Sequence, residues 1–360
     1  MIAFTAVTLL STGCASGAPD LRVGIAYGDR LVWMSDKDLD AALDDAVDVG
    51  ARWVRADLLW SNVQPDGPDA YHWEAFDRVV AAVTERDLTL LPVLGFTPEW
   101  ARPADCAEKQ CRPADPAEFA AFAGAAAARY APRGVHTWEV WNEPNLAQAW
   151  APAPDEGTYT ALLRATSRAL RESDPEAYVI LGGLAATTTK DGDISQTAFL
   201  QGVSARGGNH LVDAVGYHPY TYPFLASSVT EWGTPWERID SARDSLRSVL
   251  VANGTPKLPV WITEFGAPTN GPGTASDGRP GTVGADTTHV PEARQAQIAA
   301  DAVRTAAATP LVGALIWYAE RDLGTDRRDS ENFYGLRRAD GSAKPALDAL
   351  RDAIAHLNRG

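Results

Sequence analysis

The sequence predicts an α/β fold, a single (β/α)8 TIM barrel with eight parallel strands and outer helices, and three observations predict it. Short apolar runs recur eight times, each followed by a longer amphipathic segment, as parallel strands with helical crossovers require. The runs begin 30 to 54 residues apart, and a count of eight favours a closed barrel over an open doubly wound sheet. A last helical stretch, "AKPALDALRDAIAHL", stands where it would close the ring.

In chain order the strand-like runs are "LRVGIAYG" (21–28), "ARWVRADLLW" (51–60), "LTLLPVLGFT" (88–97) and "HTWEVWNEP" (136–144). Then come "YVILGGLA" (178–185), "VDAVGYHPY" (212–220), "LPVWITEFG" (258–266) and "VGALIWYAE" (312–320). Continuous apolar runs such as "YVILGG" suit strands covered on both faces. Among the intervening segments, "DKDLDAALDDAV" offers Asp36 as an N-cap. "DEGTYTALLRATSRALRES" and "PWERIDSARDSLRSVLVANG" carry apolar residues at helical spacing, the second with Pro at its start and Gly at its end. "APTNGPGTASDGRPGTVGADTTHV" (267–290) reads as a long Gly-rich loop overhanging the barrel mouth. Residues 21–360 therefore form one domain, and 360 residues are ample for a barrel of about 250.

A hydrophobic content of 45% with 22% charged residues fits a soluble globular core. The formal net charge of −15 argues against nucleic acid or an anionic membrane surface as partner, since both select basic faces. Twelve tryptophans are suggestive, because flat aromatic faces also bind sugar rings. Trp60, Trp100, Trp150, Trp232 and Trp236 fall in or near loops that follow strands, where each is either a sugar platform or a loop anchor. His72 and Trp73, in "YHWEAF", read as packing at a helix start. No G-x-S-x-G run for a serine hydrolase occurs.

Residues 1–20 read as an export segment and short linker. "MIAFTAVTLLSTGC" is too short an apolar run to span a bilayer but suits the centre of a signal peptide. "LSTGC" resembles a lipobox, which would place a lipid on Cys14 and make a lipid anchor the one membrane contact. Cys106 and Cys111, between Pro-rich flanks, suit a small disulfide loop in an oxidising compartment. A zinc site would need two more soft ligands nearby, so neither metal nor organic cofactor is expected.

"WEVWNEPN" (138–145) is an apolar run with one glutamate inside it that breaks at Asn142-Glu143-Pro144-Asn145. Barrel active sites sit at the C-terminal ends of the strands. The side chains expected there are Arg55, Asn142, Glu143, His218, Tyr220 and Glu264, with Trp317 beside them. Alternation sends Asn142 and Glu143 to opposite faces unless the chain turns. Pro144 is expected to hold Glu143 extended and help end the strand.

Glu143 on strand four and Glu264 on strand seven would face each other across the mouth, as glycosidic bond cleavage requires. Arg55 beside Glu264 would keep that group ionised. His218 and Tyr220 could donate hydrogen bonds to the same carboxylate. Glu143 would then be the proton donor, and Asn142 suits a sugar 2-hydroxyl.

"WNEPN" and "ITEFG" resemble the acid/base and nucleophile motifs of the clan A retaining glycoside hydrolases. The resemblance implies Glu143 as acid/base and Glu264 as nucleophile. Arg55, Asn142, His218 and Tyr220 match supporting positions, and Trp317 matches the floor under the reacting sugar. "EVWNEPNL" and "NFYGLRRADGSAKPALDAL" are most similar to family 39 and related polysaccharide-cleaving enzymes, with family 5 the near alternative. The implied protein is an exported, endo-acting hydrolase of a poly- or oligosaccharide. A cell-envelope transglycosylase and an inactive carbohydrate-binding barrel are the rivals.

Overall fold

The computed structural model describes residues 21–359, so Cys14 and the expected export segment lie outside the described residues. Eight strands form the barrel: Arg22–Ala26, Trp53–Leu59, Thr89–Gly95, Thr137–Asn142, Tyr178–Ala185, Ala214–His218, Val260–Phe265 and Val312–Tyr318. They are called strands one to eight below. All eight run parallel, each bonded to the next, and strand eight returns to strand one through the register Arg22↔Ala314 to Ala26↔Tyr318. Closure leaves the barrel no free edge.

Each strand is followed by a helix that covers the outer face. The helices are Asp36–Asp48, Glu74–Thr84, Pro116–Tyr130, Glu156–Ser173, Gln196–Ser204, Leu246–Ala252, Glu292–Ala308 and Pro345–Leu357. Among the described residues no helix is long and apolar enough to cross a membrane. The first is capped by Ser35, whose side chain accepts from Asp38 N, so Asp36 opens the helix rather than capping it. The helix expected over 235–254 is only Leu246–Ala252. Asp244 has a left-handed φ of 51°, and Ser245 with Ser248 forms a capping box that starts the helix late.

Two packing layers hold the site in place. At the barrel's floor Leu91, Ile180, Ala214, Trp261 and Ala314 interlock, with Trp53 edge-on to Trp261 at 5.2 Å. Outside the strands an aromatic layer joins Trp60, Phe119, Phe122, Trp141 and Trp150 to the helices. The 267–290 loop contains a short parallel ladder between Thr274–Ala275 and Thr287–His289. The bridge between Cys106 and Cys111 closes a small loop after strand three.

Candidate active site

The centre of the site is an arginine. Arg55 of strand two points into the barrel and is 2% exposed. Its Nε donates to Glu139 Oε2 at 2.6 Å, Nη1 to Glu264 Oε1 at 2.5 Å, and Nη2 to Asn142 Oδ1 at 2.7 Å. Burial alone would depress this guanidinium's pKa, but Glu139 and Glu264 outweigh it and push the pKa up. A buried ion group of this kind holds only if its remaining atoms are also satisfied. They are: Glu139 Oε1 accepts from Gly183 N at 2.8 Å and from Thr263 Oγ1 at 2.9 Å.

Glu264 reaches the interior through an irregularity. Between Leu315↔Ile262 and Trp317↔Phe265, three steps on strand seven match two on strand eight. That bulge turns both Thr263 and Glu264 inward. Tyr220 Oη donates to Glu264 Oε2 at 2.8 Å. Burial raises the Glu264 pKa. The charges of His218 and Arg55, with the Tyr220 and Arg55 hydrogen bonds, outweigh it and hold the carboxyl below its ordinary value.

Glu143 is presented by a turn. Trp141 and Glu143 have φ values of 74° and 49°, so the chain reverses handedness twice at the strand end. The extended Glu143 expected from Pro144 is therefore corrected. Glu143 N donates to Gly183 O at 3.0 Å, and Leu146 N closes a turn on Glu143 O with Pro144 inside it. Such left-handed backbone costs of order 1 kcal/mol and aims the side chain where a strand could not.

His218 contacts the other glutamate from the one expected. Its Nδ1 lies 2.9 Å from Glu143 Oε1, but 3.7 Å from Glu264. Its Nε2 lies 3.1 Å from Thr263 Oγ1. The Thr263 hydroxyl has one proton, which goes to Glu139, so it must accept from His218 Nε2–H. That fixes the tautomer: any further proton lies between Nδ1 and Glu143. Gly183 makes room for this ring, since a Cβ there would sit 2.0 Å from Nε2. Burial lowers the His218 pKa. Glu264 and Glu143 more than reverse that and raise it.

One oxygen of each glutamate and a ring nitrogen of His218 lie within 4.8 Å of one another. These are ligand types for a divalent cation. A cation there would have to break the His218–Glu143 bond and sit near the Arg55 guanidinium, so the arrangement suits proton transfer better.

Trp317 does not face the pocket. It pairs with Ile25, whereas Tyr318 pairs with Ala26, which in turn pairs with Arg55. Side chains paired across parallel strands share a face, and neighbours along a strand alternate. Tyr318 thus points inward with Arg55. Trp317 is 1% exposed and packs on Phe265, 6.3 Å between ring centres. The inward position expected of Trp317 is occupied by Tyr318.

Trp60 is fully buried, bonded to Gln64 Oε1 and edge-on to Trp100, so it anchors a loop. Trp100 is partly buried, with its indole N–H on Gln64 O, and belongs to the same anchor. Trp150 and Trp236 are buried, and Trp73 stacks on Phe122, while Trp232 is exposed. Sequence reasoning missed Glu139, Thr263 and Tyr318. Glu139 had a signal: it alternates inward with Thr137, and a charge in that row needs a partner.

An eight-stranded barrel with two glutamates opposed at its mouth, one pinned by arginine and tyrosine, defines the glycoside hydrolase class. A family model described as cellulase (glycosyl hydrolase family 5) matches residues 15–309, and the chain belongs to that family. A β-xylosidase of Geobacillus stearothermophilus is 33% identical over 145 residues, 38% of this chain. That match spans 27% of the relative's length. A family 39 glycoside hydrolase from Bacteroides cellulosilyticus WH2 shares the barrel with a TM-score of 0.70 at 22% identity, over 95% of this chain and 64% of that one. GH5_18 from Streptomyces cattleya, in complex with GlcNAc, shares it at 0.69 and 20%, over 95% and 81%.

Proposed function

We propose that the protein is a retaining glycoside hydrolase acting on a poly- or oligosaccharide, with Glu264 as nucleophile and Glu143 as acid/base. One observation carries this. Oxygens of the two carboxylates lie within 4.8 Å, which fits the roughly 5–5.5 Å of retaining enzymes. The roughly 6.5–9.5 Å that leaves room for an inverting water is too wide. Glu264 is held ionised, so it attacks the anomeric carbon while the leaving oxygen takes a proton from Glu143. Glu143 then accepts a proton from the water that releases the sugar. His218 Nδ1 lies against Glu143 and exchanges that proton with it. Asn142, its oxygen taken by Arg55, keeps its amide N–H groups for the sugar 2-hydroxyl.

Endo action draws its support from Trp33 and Trp232, both exposed on loops after strands one and six. The buried tryptophans give none. Export is supported by the Cys106–Cys111 bridge, since such bonds persist in oxidising compartments. The decisive experiment is trapping with 2-deoxy-2-fluoro glycosides, followed by peptide mass mapping. A sugar bonded to Glu264 is expected. Turnover that survives Glu264→Gln intact would overturn the mechanism.

A further inference from the structure

Asp57 stands two residues beyond Arg55 on strand two, so it shares the inward face and lies one layer nearer the mouth. Its backbone N donates to Gly28 O at 2.9 Å, which ties it to the loop after strand one. Its carboxylate is half-buried and has no hydrogen-bond partner among the described residues. Tyr318, also on the inward face, pairs with Ala26, which pairs with Arg55, two residues before Asp57. Its hydroxyl likewise has no hydrogen-bond partner among the described residues. A free acceptor and a free donor thus stand beside the Arg55–Glu264 pair. A pocket that leaves polar groups unpaired discriminates strongly for a ligand that pairs them.

The surroundings of Asp57 are negative. Burial comes first in pushing its pKa up to about 7; the Arg55 charge pulls it down, and three carboxylates, Glu264, Asp29 and Glu139, push it up again. The same field acts on whatever enters. An uncharged sugar can offer two adjacent hydroxyls to the two carboxylate oxygens. A sugar acid would add another carboxylate to a site where Arg55 is already taken up by three acceptors.

We propose that Asp57 determines specificity: it receives adjacent free hydroxyls of an uncharged sugar seated beside Glu264 and rejects a uronic acid in that place. This rests on the glycoside hydrolase reading above. Its consequence is a preference among substrates rather than a step in bond cleavage.

The test compares wild type with Asp57→Asn on matched pairs of 4-nitrophenyl glycosides, glucoside against glucuronide and galactoside against galacturonide. Mono- and disaccharide forms are both used. The readout is the ratio of kcat/KM, neutral over acidic, with thermal unfolding as a check on folding. Damage to the fold lowers both members of a pair alike. The proposal expects the ratio to fall at least about tenfold in Asp57→Asn, through loss on the neutral member and gain on the acidic one. An unchanged ratio overturns it, as does acidic turnover absent from both proteins while neutral turnover is unaffected. Wild type inactive on every glycoside and on a polysaccharide panel would overturn the hydrolase reading and this inference together. An active wild type with an unmoved ratio would overturn the inference alone.

Discussion

Arg55 Nη1 lies 2.5 Å from Glu264 Oε1, and the same guanidinium holds Asn142 and Glu139 through its other nitrogens. One side chain therefore helps hold Glu264 ionised, orients the Asn142 amide beside Glu143, and ties both to the Glu139 wall behind them. Removing it leaves Glu139 and Glu264 uncompensated in a buried place, the costly way to break an ion group.

Arg55→Ala is expected to lower kcat by about 10²- to 10³-fold, the scale of losing a preorganised electrostatic contact, with a much smaller change in KM. Steady-state kinetics on an activated glycoside checks this. Loss confined to KM would count against the role. A second expectation is a lower Tm, because two carboxylates lose their counter-charge.

His218 makes stability depend on pH in a definite direction. Its folded pKa is raised by Glu264 and Glu143 against the opposing effect of burial. Such a group stabilises the fold fully below its unfolded value of about 6.5 and loses that contribution as pH rises through the folded value. Urea unfolding of wild type and His218→Asn should therefore show a stability gap that is largest near about pH 6 and narrows toward alkaline pH. A gap that widens with pH would refute the assignment. Glu264 acts at the other end: its depressed pKa gives stability present above about pH 4.3 and lost as pH falls through the folded value.

Trp317 and Tyr318 should separate stability from activity. Trp317→Ala removes a buried indole and is expected to cost about 3–5 kcal/mol in unfolding free energy. Tyr318→Ala, at the partly open inward position, should cost less stability and at least about tenfold in kcat/KM. Reversed outcomes in thermal unfolding and kinetics would restore Trp317 to the pocket.

For the Cys106–Cys111 loop, alkylation without reductant should leave both cysteines unmodified in the intact mass. Their sequence separation of 5 predicts about 2 kcal/mol of stabilisation from loop closure, visible as a lower Tm after reduction. Full labelling without reductant would show that the bridge is not made.

The fold was legible because the apolar runs carry their own period and because Gly, Pro and charged residues mark where they stop. All eight strands fall within the runs picked out by composition. The pair Glu143 and Glu264 was legible for the same reason, as each ends such a run. The remainder depended on local geometry that composition does not encode. Glu143 reaches the pocket through two left-handed residues, and Glu264 through a bulge. Trp317 was misplaced by one step of alternation, and a single residue is enough to exchange pocket for wall. His218 lay on the right strand, but a bond to Glu143 rather than Glu264 is a matter of ångströms. The loop tryptophans were ambiguous because an indole that packs under a loop and one that faces a ligand have the same sequence.

Glu139 has a consequence for how such a barrel diversifies. Its oxygens are committed to Arg55, to the amide of Gly183 and to Thr263, all within the strands. Arg55, which holds Glu264 and Asn142, is therefore fixed in place from below, out of reach of the rim. Segments above it that carry neither Glu143 nor Tyr220 can be lengthened, exchanged or redecorated without moving that guanidinium. New sugars can be recruited by editing the entrance while the engine underneath runs unaltered.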